Sequence, residues 1–378
     1  MKEKHHSFEG QPVMCSESVL RLAAKEGNPR NSEGAFLELK DGSVIFAYSR
    51  FDGESFHDHE SADIAVIKSM DCGKTWSEPE ILIKGEKGFG NNFMSVTLLR
   101  LQNDRICLMY LRKADLGDRV DCRPVIQYSD DEGKSWSEAK YIIGATGYYV
   151  VNNDRMIQLR SGRLLIAAAQ HRWKGNPDGR LAKEDGRVIG IMFYSDDNGE
   201  NWQEAPDWVL PSVTNCESGL QEPGLVELEP GRVMFWARTD HGCQYKAFSY
   251  DDGLNWTDAI PAPEFPSPNG PLSIKRDPVT GDLVAVWCDI SARYGVIPQP
   301  CSWGRTPYVM AFSSDNGRTW KNHFAFETEP DCGYCYCAIN FNRDGSILLG
   351  YCSGGQKYQT VVLQDTTIRR FTRCHGDI

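Results

Sequence analysis

Three short segments carry residue types whose spacing could do chemistry. The run Gln221-Glu222-Pro-Gly-Leu-Val-Glu-Leu228-Glu-Pro-Gly231-Arg-Val-Met-Phe-Trp-Ala-Arg238 opens on a carboxylate and closes on a guanidinium. Arg238 ends the apolar stretch Val233-Met-Phe-Trp-Ala237, so it emerges at a strand end and not within a solvated face. A guanidinium there suits a carboxylate ligand, because its planar fork meets two oxygens at once. The second segment, residues 49–63, holds His57-Asp58-His59. That is an aspartate with imidazoles on either side to tune it, or a His-x-His metal pair for which no third ligand is evident. The third is Cys332-Gly-Tyr334-Cys335-Tyr336-Cys337. Its C-x2-C pair would suit zinc if a second pair or histidines answered it, and none does, so the cysteines read as buried thiols. Strand alternation would put Cys335 and Cys337 on one face, and Tyr334 and Tyr336 together on one face.

The elements that must position these residues come from a repeat. Ser-x-Asp-x-Gly-x-x-Trp occurs five times: Ser69 to Trp76, Ser129 to Trp136, Ser195 to Trp202, Ser249 to Trp256 and Ser313 to Trp320. The tryptophans stand 60, 66, 54 and 64 residues apart. Asp accepts backbone N–H groups, Gly supplies a positive φ and Trp covers the loop, so each copy is a structural turn. A second pattern, an apolar residue, a turn and a hydrophobic strand, occurs six times, with turns at Asp41-Gly42, Asp104, Gly162, Gly231, Gly281 and Asp344-Gly345. Six hairpins of this spacing fit six four-stranded blades. Five turn motifs against six hairpins predict that the last blade is closed by the N- and C-terminal strands meeting. The expected fold is all-β, a six-bladed β-propeller with five aspartate-box turns. Residues 1–14 read as a leader segment and 15–378 as a single domain.

Composition narrows the function. The chain has 378 residues and a formal net charge of -11, which argues against nucleic-acid or anionic-membrane partners. No stretch approaches the roughly 18 consecutive apolar residues of a membrane helix. An anionic small substrate is compatible, because a few converging arginines reverse the field locally. The 13 cysteines lack a recurring spacing and read as reduced thiols. The N-terminus shows no signal peptide, so the chain as given reads as cytoplasmic, or as secreted or periplasmic if a signal has been removed.

The five boxes on a six-bladed propeller resemble the sialidase (neuraminidase) superfamily, in particular bacterial exo-α-sialidases, over nearly the whole chain from about residue 26. The resemblance implies three arginines clamping a substrate carboxylate. They fall on Arg30, in Arg30-Asn-Ser where the family usually has Arg-Ile-Pro, on Arg238, and on Arg305 in Ser302-Trp-Gly-Arg305-Thr-Pro. It implies a tyrosine nucleophile paired with a glutamate: Tyr336, with Tyr334 the alternate, and Glu222, with Glu217 the alternate. A phenol has a reference pKa of about 10 and needs a base beside it, but it meets an anionic sugar without the repulsion a carboxylate would suffer. The implied acid is Asp58, with Asp52 and Asp63 behind it.

The implied activity is release of a terminal sialic (nonulosonic) acid from a glycoconjugate by a retaining mechanism, without metal or other cofactor. The alternatives are a hydrolase of another acidic sugar on this fold and a non-catalytic glycan-binding propeller. The segments Asn91 to Ser95 and Asn152 to Arg155, with His171-Arg172 and Asp240-His241, are candidates for contacts to glycan hydroxyls or for turn capping. Linkage preference and oligomeric state are not legible.

Overall fold

The structure, a computed structural model, describes residues 2–8, 10, 12–85, 92–175 and 181–373. Its elements are β-strands apart from three single-turn 3-10 segments among the described residues. The expected hairpins form. Asn31–Glu38 pairs with Val44–Phe51, and Asn92–Arg100 with Ile106–Asp115. Ile157–Gln158 pairs with Leu164–His171, and Gln221–Glu229 with Arg232–Arg238. Ser273–Arg276 pairs with Leu283–Cys288, and Cys332–Phe341 with Ile347–Gly355. Further antiparallel strands extend each hairpin outward. The first three groups join into one thirteen-stranded sheet through the parallel pairings Ala62↔Asn92 and Tyr148↔Cys122.

The second strand of each hairpin is a nearly unbroken apolar run because it is covered on both faces. Ala35, Ile45 and Ala47 pack against Val96, Leu98 and Leu108 of the next hairpin, and Trp236 packs with Leu283, Ala285 and Trp287. At about 25 cal/mol per Å² of buried apolar area, such interfaces between sheets are the main stabilising contribution. The ends of the chain close the assembly. Pro12–Leu22 runs antiparallel to Asp365–Arg373, from Met14↔Arg373 to Leu22↔Thr366. Glu3–His6 adds a further strand on its far side. The domain boundary expected after residue 14 therefore falls inside the strand Pro12–Leu22.

All five boxes adopt one structure. The aspartates Asp71, Asp131, Asp197, Asp251 and Asp315 each accept the hydroxyl of the serine two residues earlier, at 2.7–2.9 Å. Each also accepts the backbone N–H four residues on, at 2.9 Å. The glycine N–H returns to the same serine Oγ, and its φ lies between 78° and 88°. A Cβ would resist that conformation, which is why glycine recurs there.

Candidate active site

The site is built by a second backbone repeat, one that the residue types conceal. Five innermost segments each carry one non-glycine residue in the left-handed region: Glu33 (φ 55°), Ser95 (61°), Asp154 (56°), Glu222 (49°) and Tyr336 (57°). Four of them fall at breaks in strand register, between Ser32 and Ala35, Met94 and Thr97, Gln221 and Gly224, and Cys335 and Ala338. These are β-bulges, which re-aim a side chain out of the alternating pattern and recur beside active sites. At the first of them the chain is tightly enclosed. A Cβ on Gly34 would lie 2.3 Å from the Phe46 ring and 2.6 Å from the Ala47 carbonyl oxygen.

Glu33, Ser95, Glu222 and Tyr336 project into a common cavity of about 200 Å³ whose walls also include Asp58, Lys113, Tyr148, Asn152, His171, Gln221 and Arg238. The Tyr336 hydroxyl donates to Glu222 Oε1 at 2.9 Å, across 114 residues of sequence. Arg238 Nη1 lies 3.0 Å from Glu222 Oε2, and Arg238 Nη2 donates to Gln221 Oε1 at 2.8 Å. The Arg305 guanidinium stands 5.7 Å from the centre of the Tyr336 ring. Its Nη1 is buried without an oxygen acceptor among the described residues, a donor that an anionic ligand would satisfy. Burial and the neighbouring Glu222 hold the Tyr336 phenol well above its ordinary range, with Arg238 and Arg305 pulling the other way.

Arg30 lies beneath the opposite wall, 1% exposed. Its Nε donates to Ser32 Oγ, its Nη1 to Asp58 Oδ1 at 2.5 Å and to the Phe56 carbonyl, and its Nη2 to Glu33 Oε1 at 2.6 Å. Ser95 Oγ donates to the other Glu33 oxygen. Burial raises the Glu33 pKa, Asp58 adds to the rise, and Arg30 and the Ser95 hydroxyl oppose it. The Asp58 side chain is 57% exposed; partial desolvation pushes its pKa upward, but the Arg30 and Lys113 charges outweigh it, so its carboxyl sits well below the usual range. The Lys113 ammonium donates to the Asp58 carbonyl at 2.7 Å.

The alternates are employed elsewhere. Asp63 is fully buried on Lys84 Nζ and the Gly85 N–H, Asp52 faces Lys84, and Glu217 sits on an exposed loop. Tyr334 is not on the face of Tyr336, as plain alternation predicts. The bulge at Tyr336 breaks the alternation, and Tyr334 stacks on Tyr308 with ring centres 6.0 Å apart. For the same reason Cys335 and Cys337 fall into different core clusters, Cys335 with Cys352 and Cys337 with Tyr334 and Tyr351. Of the histidines, His57 is exposed, and His59 Nε2 lies 3.1 Å from the Tyr148 hydroxyl. Asn91 lies outside the described residues, and Asn92 reaches the Glu60 carbonyl. Asn152 is in the cavity wall, while Asn153 bridges the Gly34 and Tyr336 carbonyls and Arg155 holds the Leu272 carbonyl. Arg172 pairs with Asp185, and Asp240-His241 lies outside the wall, on the turn after Arg238.

Sequence reasoning assigned no role to Glu33 or Lys113. A signal for Glu33 existed. Glu33, Ser95, Glu222 and Tyr336 each stand nine residues before the left-handed residue of their hairpin turn, Gly42, Asp104, Gly231 and Gly345. Counting back from every hairpin would have found them all.

Residues 31–349 match the BNR repeat-like domain model. Over 250 residues the chain is 24% identical to an anhydrosialidase of Macrobdella decora, a match covering 60% of this chain and 29% of that one. Over 289 residues it is 25% identical to a sialidase of Clostridium perfringens, covering 68% and 69%. It thus spans less than a third of the first relative and about two thirds of the second. Among solved structures, a Hadza microbial sialidase superposes with TM-score 0.70 at 18% identity, covering 94% of this chain and 68% of that one. The intramolecular trans-sialidase of Ruminococcus gnavus gives 0.67 at 15%, covering 95% and 97%. At these identities the structural likeness speaks to the β-propeller fold alone. With its five boxes and the match over residues 31–349, the chain belongs to the BNR repeat-like family of the sialidase superfamily.

Proposed function

We propose that the protein is a six-bladed propeller that cleaves a terminal sialic or related nonulosonic acid from a glycoconjugate, with retention, through a tyrosyl intermediate. The observation that carries this reading is the hydrogen bond from Tyr336 to Glu222 at the cavity floor, flanked by two guanidinium groups. A phenol held high in pKa is inert until its proton leaves with bond formation, and Glu222 is the acceptor in contact with it. The anomeric carbon of such a sugar bears a carboxylate, so a neutral nucleophile avoids like-charge repulsion. Arg238 and Arg305 receive that carboxylate, with Arg30 as third partner.

Arg30 imposes an order on these events. Its Nη1 donates to Asp58 Oδ1. A substrate carboxylate and Asp58 compete for the same guanidinium, so binding displaces Asp58. Freed from Arg30, the Asp58 carboxyl returns toward the ordinary range of about 4 and can carry a proton to the leaving oxygen. Substrate binding thereby arms the acid.

The test is incubation with an aryl α-sialoside, reading released aryl alcohol and, by NMR, the first anomer formed. Release with retention is the expected result. Cleavage of another acidic sugar's glycoside in place of the sialoside would move the reading to that sugar. Binding of free sialic acid without cleavage of any glycoside would favour a glycan-binding propeller.

A further inference from the structure

The turn after Arg238 and the loop before Gln221 meet outside the cavity in a cluster that the glycosidase reading leaves unused. The Sγ of Cys216, a carboxylate oxygen of Asp240 and a ring nitrogen of His241 all lie within 4.8 Å of one another. Cys216 is buried, His241 half-buried and Asp240 exposed. This is the only such cluster of three or more His, Cys, Asp or Glu donors among the described residues.

From this geometry we propose that Cys216, Asp240 and His241 form a zinc site, with solvent as fourth ligand. Thiolate, imidazole and carboxylate together are a donor set suited to zinc, whereas magnesium and calcium take oxygen ligands. The spacing is right. Tetrahedral zinc, with bonds of about 2.3 Å to sulfur and about 2.0 Å to oxygen, separates those atoms by roughly 3.5 Å. Cys216 Sγ stands 3.1 Å from Asp240 Oδ1, so a small opening admits the ion in place of the thiol proton.

The surroundings are those of ligands already oriented. The Tyr245 hydroxyl lies 3.0 Å from His241 Nδ1, a contact that holds the imidazole in place. Asp240 is held by the Ser218 hydroxyl at 3.1 Å and by the backbone N–H groups of Glu217 and Ser218. Zinc takes a cysteine as the thiolate, so binding at Cys216 releases the thiol proton to solvent. Affinity must therefore rise with pH.

The consequence reaches the cavity without entering it. Residues 216–218 lead into Gln221 and Glu222, and Asp240 follows Arg238 by two residues. An ion here ties together the two ends of the strand pair that carries Glu222 and Arg238. The proposal stands apart from the glycosidase reading, and its test needs no substrate.

The whole chain, stripped with chelator and kept reduced, is titrated with zinc by calorimetry and with cobalt by absorbance at pH 6.5 and 8.0. Expected are one equivalent bound, tighter at pH 8.0, with a near-ultraviolet thiolate-to-cobalt band. Cys216→Ser should abolish the band, and His241→Gln, on the half-buried ring, should weaken binding at least tenfold. Circular dichroism checks that both variants fold. If Cys216→Ser does not fold, the cobalt band and the loss in His241→Gln decide. Absence of binding at millimolar zinc, a cobalt spectrum without the thiolate band, or undiminished binding in His241→Gln would overturn the site.

Discussion

The outer rim and the inner floor of this propeller use the same backbone device for opposite ends. At the rim, five boxes put a residue and then a glycine into the left-handed region, and the side chains around them are the same each time. On the floor, five inner segments put one residue into that region, and the side chains are Glu33, Ser95, Asp154, Glu222 and Tyr336, nearly all different. A turn has the same task in every repeat, so its residues recur. Bulges in four of these segments aim Glu33, Ser95, Glu222 and Tyr336 at one shared cavity, each bringing a different chemical group, while Asp154 pairs with Lys275. Scaffold is therefore visible as repetition, and the reactive floor as its failure.

Changes on the floor should cost function, and changes at the rim should cost stability. The largest of these effects is expected for Arg238→Lys, which keeps the charge but loses the fork against a carboxylate. Its affinity for a free sialic acid analogue should fall by about 2 kcal/mol or more, roughly 30-fold, with the fold intact. Calorimetric titration measures this, and unchanged affinity would remove Arg238 from the clamp. The next effect is a pH dependence. Asp58 has a folded pKa below its unfolded value of about 3.9, so its ion pair stabilises the protein above that pH. That contribution fades as the pH falls through the folded value. Asp58→Asn should thus lower the Tm at pH 6, and the gap from the parent should narrow progressively below about pH 4 in thermal scans. The smallest effect belongs to the rim. Asp197→Ala removes the acceptor of the Ser195 hydroxyl and of the Asn201 backbone N–H and should cost about 1–2 kcal/mol of stability by urea unfolding, leaving kcat and KM unchanged. A loss of turnover in the folded variant would erase the distinction between rim and floor.

The sequence exposed the rim fully, because five copies of Ser-x-Asp-x-Gly-x-x-Trp need no partner to be recognised. It exposed the hairpins for the same reason. Tyr336 and Glu222 were reachable only by position, and no local pattern says that a tyrosine will turn against the alternation of its strand. That is why Tyr334 and Tyr336 were expected on one face. Glu33 was hidden by its setting in Arg30-Asn-Ser-Glu33, where the change of type beside Arg30 drew attention and the carboxylate did not. Lys113 gave no signal at all. It ends a strand as many surface lysines do, and only the fold brings its ammonium to the carbonyl of Asp58.

The central claim is that the bulge at Tyr336 carries a nucleophile and not a core aromatic. Tyr336→Phe removes one oxygen atom and leaves the ring packed against its neighbours, so the two meanings separate cleanly. With an aryl α-sialoside as substrate, the measurement is kcat of the folded variant together with the anomer first released. Turnover should fall by at least two orders of magnitude, or persist only with altered stereochemistry. Turnover at the parental rate with unchanged stereochemistry would contradict it.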